Sequence, residues 1–311
     1  MRKVIIFFTI FGFIVLSSVS QSAPIVMKGN YIYTQISDDG TLGDSDNYPG
    51  IQYDPAGNGN FPGIGGKDFL QPGAPWEAFS IKSNETGIVQ NCNSDSLIGD
   101  DITDTTLTDL SVFSPHVRWS GSFKDYGKDY FDIVIDTYFN KDDRYIMFTT
   151  TITSKTDLTN LKFLRAIDPD QDVRDYYPYT YNTINARGYG SIAPEDWVYA
   201  SGPTSNWTIG LYSDSSFMHN TGISDSWSKN PDDYLSGIDD GYGDNSIGIA
   251  FDLGNLSEGE SVTFKYAYVL GMDPDDAADN IPTSAPIPEP TTMFLLGTGL
   301  IGLASYWRKK V

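Results

Sequence analysis

From Trp76 to Leu270 apolar side chains recur at every second position. The clearest runs are Phe131, Ile133, Ile135, Thr137, Phe139, then Ile146, Phe148, Thr150, Ile152, and last Val262, Phe264, Tyr266, Tyr268, Leu270. Successive side chains of a strand point to opposite faces, so this alternation predicts antiparallel strands with one face buried and one solvated. Asn140-Lys141-Asp142-Asp143 between the first two runs has the length of a hairpin loop. Shorter strands are predicted at 29–36, 76–82, 86–91, 116–123, 161–167, 207–213 and 246–253, separated by clusters of Gly, Asp, Asn and Pro. Residues 47–66 read as consecutive turns that close over one end of the strands. The one helix signal is Asp273 as N-cap with Pro274, Asp275 and Asp276 in the first turn. Many strands without a long helical period predict an all-β fold, an antiparallel β-sandwich of the large, supersandwich type.

The two ends follow another pattern. Arg2 and Lys3 precede an apolar run from Val4 to Leu16, and small residues follow at Ser17, Ser18, Ser20, Ser22 and Ala23. That is a secretory signal peptide over residues 1–22, with cleavage after Ser20 or Ser22 because Pro24 hinders a cut after Ala23. At the other end, residues 281–287 form a stiff Pro-containing spacer. Then come Pro288-Glu289-Pro290, an uncharged apolar stretch from Met293 to Trp307, and Arg308-Lys309-Lys310. The stretch is shorter than the roughly 20 residues of an ordinary span. Tyr306 and Trp307 suit the membrane interface, and the three cations hold that end in the cytoplasm. The expected organisation is therefore signal peptide 1–22, exported sandwich 23–280, spacer 281–287, and transmembrane sorting segment 288–311.

Pro-Glu-Pro, an apolar run and a basic end, in that order, resemble the PEP-CTERM sorting signal of exported bacterial proteins. The resemblance covers less than a tenth of the chain. It implies signal peptidase and an exosortase, a membrane-embedded cysteine transpeptidase, as processing partners. It also implies transient retention in the inner membrane, delivery to the cell surface or beyond, and exopolysaccharide as a matrix partner. A plain, unprocessed membrane anchor is the alternative. The same tail also occurs on ice-binding proteins, but Thr149-Thr150-Thr151-Ile152-Thr153 is a single strand and not a repeating Thr-x-Thr ladder.

Charge narrows the chemistry. Residues 23–290 hold all 41 acidic residues against 15 basic ones, a net charge of −26. Such a surface repels nucleic acid and favours cations or neutral glycans. The acids are 35 Asp against 6 Glu, which points to Asp-bearing turns between strands. Cys92 is the single cysteine, so no internal disulfide or thiolate metal cluster is expected. His116 and His219 lie far apart and read as surface or packed residues. Gly-x-Ser-x-Gly and P-loop motifs are absent, and no nucleophile is visible. Glu77 beside Trp76, and Glu195-Asp196-Trp197, are the acid–aromatic pairs that a glycosidase could use.

The sharpest local feature is Asp168-Pro169-Asp170-Gln171-Asp172, three acids at alternate positions leaving a strand. Short carboxylates so spaced can converge on a hard cation, so Asp168, Asp170 and Asp172 are the candidate metal ligands and calcium the candidate cofactor. Val173 and Tyr179 stand where an EF-hand needs its glycine and bidentate acid. A second fragment, Asp240-Gly241-Tyr242-Gly243-Asp244-Asn245, faintly resembles a calcium-binding glycine repeat, which works only as tandem copies. The stretch from Ile152 to the acidic triplet, with Leu256 to Ser261, is similar in style to large sandwiches associated with sugar enzymes. Two functions remain: an exported, non-enzymatic surface or matrix protein binding glycan or calcium, and a carbohydrate-active hydrolase or lyase.

Overall fold

The computed structural model describes residues 23–43, 49–61, 68–70, 76–94, 100–173 and 177–282. The signal peptide, residues 283–287 of the spacer, Pro288-Glu289-Pro290 and Arg308-Lys309-Lys310 lie outside the described residues. Among the described residues no helix is long and apolar enough to cross a membrane.

The chain is all-β. Its strands are β1 (Ile25–Lys28), β2 (Ile32–Ile36), β3 (Ile51–Tyr53), β4 (Trp76–Ser83), β5 (Gly87–Cys92), β6 (Thr103–Asp109), β7 (His116–Asp125), β8 (Lys128–Tyr138), β9 (Tyr145–Ser154), β10 (Leu158–Asp168), β11 (Ile184–Arg187), β12 (Trp197–Ser201), β13 (Thr208–Tyr212), β14 (Met218–Ser224), β15 (Ser246–Leu256) and β16 (Ser261–Gly271). Among the described residues the helices are α1 (Pro231–Leu235) and α2 (Pro274–Asp279). The sheets are antiparallel, with orders β1-β2-β3, β14-β15-β10-β4-β5 and β11-β12-β13-β16-β9-β8-β7-β6.

The three predicted runs of alternation sit side by side in the eight-stranded sheet. Ile133 pairs with Ile152, and Ile152 with Val262; Thr137 pairs with Phe148, and Phe148 with Tyr266. Their buried face meets the five-stranded sheet, where Phe163 of β10 packs on Phe264 and Tyr266 of β16 at ring separations of 5.0 and 5.7 Å. Met27, Ile32, Ile36, Ile51 and Tyr53 bring the small sheet into the same core. The outer face of the five-stranded sheet is covered by Tyr234 of α1, and that of the eight-stranded sheet by Ala277 of α2. α2 begins as its sequence predicts, with the Asp273 side chain accepting from the Asp276 N–H at 2.8 Å.

One ion pair sits at the centre of this assembly. Glu77 on β4 and Arg165 on β10 are both fully buried and pair in a fork: Arg165 Nε and Nη2 donate to the two Glu77 oxygens, the second at 2.8 Å. Tyr268 on β16 donates its hydroxyl to Glu77 at 2.8 Å, and the Leu42 N–H donates at 2.9 Å. The guanidinium lies 4.8 Å from the ring centre of Phe148 on β9 and donates to the Gly40 carbonyl at 3.3 Å. Gly40 itself has φ +85°, and a Cβ there would lie 2.5 Å from the Trp119 indole, so only glycine fits. Burial pushes the Glu77 carboxyl upward, and Arg165, Leu42 and Tyr268 pull it back.

Removing one partner of such a pair leaves a buried, unbalanced charge. Arg165→Met is expected to cost about 3–5 kcal/mol, read from urea unfolding, and Glu77→Leu/Arg165→Met to recover part of that loss. An Arg165→Met single variant as stable as wild type would show that the pair does not couple the layers.

Candidate functional site

The acidic turn leaves the end of β10, whose register is fixed on both sides. Asp168 pairs with Trp76 of β4, and Ile167 with Ile247 of β15. The turn is then held by the Asp170 N–H donating to the Phe69 carbonyl at 2.9 Å and the Val173 N–H donating to the Asp170 carbonyl at 3.1 Å. The three expected ligands do not stay together. Asp172 turns away, and its carboxylate accepts from the backbone N–H groups of Thr204 and Ser205 at 2.7 and 3.2 Å, so it caps the β12–β13 loop.

Asp244 joins Asp168 and Asp170 instead. The three residues each offer a carboxylate oxygen, all within 4.8 Å of one another. Asp244 comes from the glycine-containing fragment that precedes β15, so the two acidic fragments form one cluster. The β10–β15 pairing ends at Ile167–Ile247, and the segments that leave the two strands there carry Asp170 and Asp244. The fragment is fastened at the start of β11: Thr183 just before it and Gly243 exchange backbone hydrogen bonds at 2.8 and 3.2 Å, and Asn185 on β11 donates to the Gly241 carbonyl at 2.9 Å. Gly241 has φ +68°, the left-handed conformation the turn requires.

The electrostatics of the cluster are unfavourable as they stand. Asp168 and Asp170 are buried and Asp244 half-buried. The Oδ1 atoms of Asp168 and Asp170 have no hydrogen-bond partner among the described residues. The neighbouring Trp227 side chain acts to lower the Asp168 carboxyl. Burial raises all three carboxyl groups above the ordinary carboxylate range; the Asp244 charge adds to this at Asp168, and the charges of Asp168 and Asp244 add to it at Asp170.

Exposed tyrosines stand on the same loops. Tyr177 is 86% exposed, Tyr242 is 62% exposed, and Tyr179 and Tyr181 are also open to solvent. Tyr177 and Tyr179 meet edge to face at 6.0 Å, and Asn182 Nδ2 lies 3.5 Å from the Tyr242 hydroxyl. In the sequence the group is signalled only by the alternate spacing of Tyr177, Tyr179 and Tyr181.

The other candidate residues lie elsewhere in the fold. Glu77 belongs to the central ion pair. Glu195 is exposed in the turn before β12, Asp196 lies 3.1 Å from His219 Nε2, and Trp197 is buried under α2. Cys92 is buried, and burial pushes its thiol up to about 12, far from a nucleophilic thiolate. His116 lies 3.0 Å from Asp136, which also accepts a two-point bond from Arg118.

Comparison with known proteins bears on the C-terminus first. The model of the PEP-CTERM protein-sorting motif matches residues 286–310. The chain carries a PEP-CTERM sorting signal. The motif indicates an exported, membrane-sorted protein and implies an exosortase as its processing partner. The match does not extend into the sandwich, and no curated protein matches the chain in sequence. In structure, the described fold resembles a bacterial glucoamylase solved with acarbose, at 12% identity and a TM-score of 0.54, over 84% of this chain and 34% of that one. This PEP-CTERM chain thus spans about a third of the glucoamylase. A putative aldose 1-epimerase from Escherichia coli K12 gives 10% identity and a TM-score of 0.42, over 80% of this chain and 99% of that one. The first likeness is one of fold; the second is too weak to carry an argument.

Burial alone would raise Asp136, but the bonds from His116 and Arg118 outweigh it and hold its carboxyl below the usual range. A carboxyl depressed by folding stabilises the protein above its unfolded pKa, about 3.9, and loses that contribution as pH falls through the lower folded value. The stability gap between wild type and Asp136→Asn is therefore expected to be full at neutral pH and to close under acid. Urea midpoints measured across pH check this; a gap independent of pH would refute it.

Proposed function

We propose that this protein is a non-enzymatic surface or matrix component: a β-sandwich exported through a cleaved signal peptide, delivered by its sorting tail, and binding neutral glycan through the exposed tyrosines. The observation that carries the reading is the tyrosine group itself, displayed behind a sorting signal. Aromatic rings left in solvent on neighbouring loops are characteristic of recognition surfaces. The C–H faces of pyranose rings stack on such side chains, and their hydroxyl groups suit the polar loop atoms alongside. A net charge of −26 over residues 23–290 favours a neutral polymer over an anionic one.

The enzymatic alternative finds less support. Glu77 is taken up by Arg165, and Asp170 is only 2% exposed, out of reach of a glycosidic oxygen without rearrangement of the turn. The protein is expected to bind neutral glycans in an array, to lose about tenfold in affinity in Tyr179→Ala/Tyr242→Ala, corresponding to about 1.4 kcal/mol, and to release no reducing ends. Release of reducing ends would establish the enzyme instead.

The tail yields a separate expectation. The prolines of Pro288-Glu289-Pro290 favour an extended segment without internal hydrogen bonds, a form that a protease-like cleft can hold. Glu289→Ala, or deletion of Arg308 to Lys310, should leave export intact while the uncut precursor accumulates in membranes. Intact mass of the protein recovered from its host checks the reading: a wild-type chain still ending at Val311 would make the tail a plain anchor.

A further inference from the structure

We infer that Asp168, Asp170 and Asp244 bind one calcium ion, which joins the end of β10 to the loop before β15. The site combines three observations. Three carboxylate oxygens converge within 4.8 Å of one another, inside the about 5 Å that two oxygens on opposite sides of a calcium ion can span. Two of the three side chains are more than nine-tenths buried, and each directs an oxygen without a hydrogen-bond partner. Among the described residues, no lysine, arginine or histidine forms an ion pair with any of them.

Buried carboxylates side by side repel one another and lack the water that would solvate them. A divalent cation removes both penalties at once. The three members are aspartates, while His116 and His219 lie against other carboxylates and Cys92 is packed in an apolar cluster, so the donor set is oxygen, which selects a hard cation over zinc or copper. Three carboxylates supply three to six of the six to eight oxygens that calcium takes, and half-buried Asp244 leaves room for water to complete the shell. Magnesium demands shorter bonds and stricter octahedral geometry, so it suits a site assembled from two separate loops less well.

The ion has a mechanical consequence. Asp168 and Asp170 are anchored by β10, whereas Asp244 is anchored through Gly243 to Thr183. Calcium therefore clamps the loop carrying Tyr242 to the edge of the core. This inference is independent of glycan recognition: a protein could bind calcium here and no glycan, or the reverse.

The test uses the full-length chain in detergent, stripped of divalent ions with EDTA and titrated with calcium or magnesium chloride. Calorimetric titration should show one calcium per chain at this site, and Tm should rise by roughly 5–10 °C at a hundredfold excess over Kd. Asp170→Asn should abolish both effects while retaining the near-ultraviolet circular dichroism of a packed core. Asp172→Asn, which loses the cap on Thr204 and Ser205, should lower Tm yet keep the calcium-induced rise. An unchanged Tm in millimolar calcium, an equal rise in Asp170→Asn, or a larger rise with magnesium would overturn the assignment.

Discussion

The Glu77–Arg165 pair is the constraint around which the layers are fitted. An ion pair with no exposure is tolerable only if every remaining donor and lone pair is met, and here the partners come from all parts of the molecule. β4 and β10 of the five-stranded sheet supply the charges, β16 and β9 of the eight-stranded sheet supply Tyr268 and the Phe148 ring, and the loop after β2 supplies Gly40 and Leu42. A shift of any one layer would leave the charges unmet. The pair thus favours one register of the sheets among the many that a purely apolar interface would accept.

The same strand carries both charge arrangements. β10 presents Phe163 and Arg165 to the core, and at its end Asp168 to the opposite side with Leu164 and Ala166. Its neighbours β4 and β15 hold that end in place. Inside the sandwich charge is balanced and satisfied; at the strand end it is concentrated and unbalanced. Such a cluster is relieved by protons or by a cation, whereas the ion pair is satisfied by the chain itself and is architecture.

Much of the fold was legible in the sequence. The alternating runs fell on β8, β9 and β16 because one face of each is buried and the other is solvated. β12 was missed because all five of its residues, Trp197–Ser201, are buried, which erases the alternation; β6 was missed because its threonines and aspartates are largely exposed. α1 was missed although Asn230 and Pro231 repeat the cap-and-proline signal of α2, since five residues give no helical period. In the carboxylate cluster the convergence of Asp168 and Asp170 was legible from spacing and the third carboxylate was not. Spacing within one turn suggested Asp172, but β10 and β15 are neighbours in the sheet, and the segments leaving their paired ends bring Asp244 close to Asp170 from a distance of many residues. A pairing partner is a property of topology, invisible to local spacing.

The position of α2 has a consequence for how this protein could leave a membrane. Ala277 is buried against the outer face of the eight-stranded sheet, and Ile281 packs partly against the same cluster of Trp197 and Tyr199. The domain closes its own last seam before the sorting segment begins. A cut beyond that seam would leave these contacts of α2 and Ile281 in place, so the released body would keep the packing of its last element.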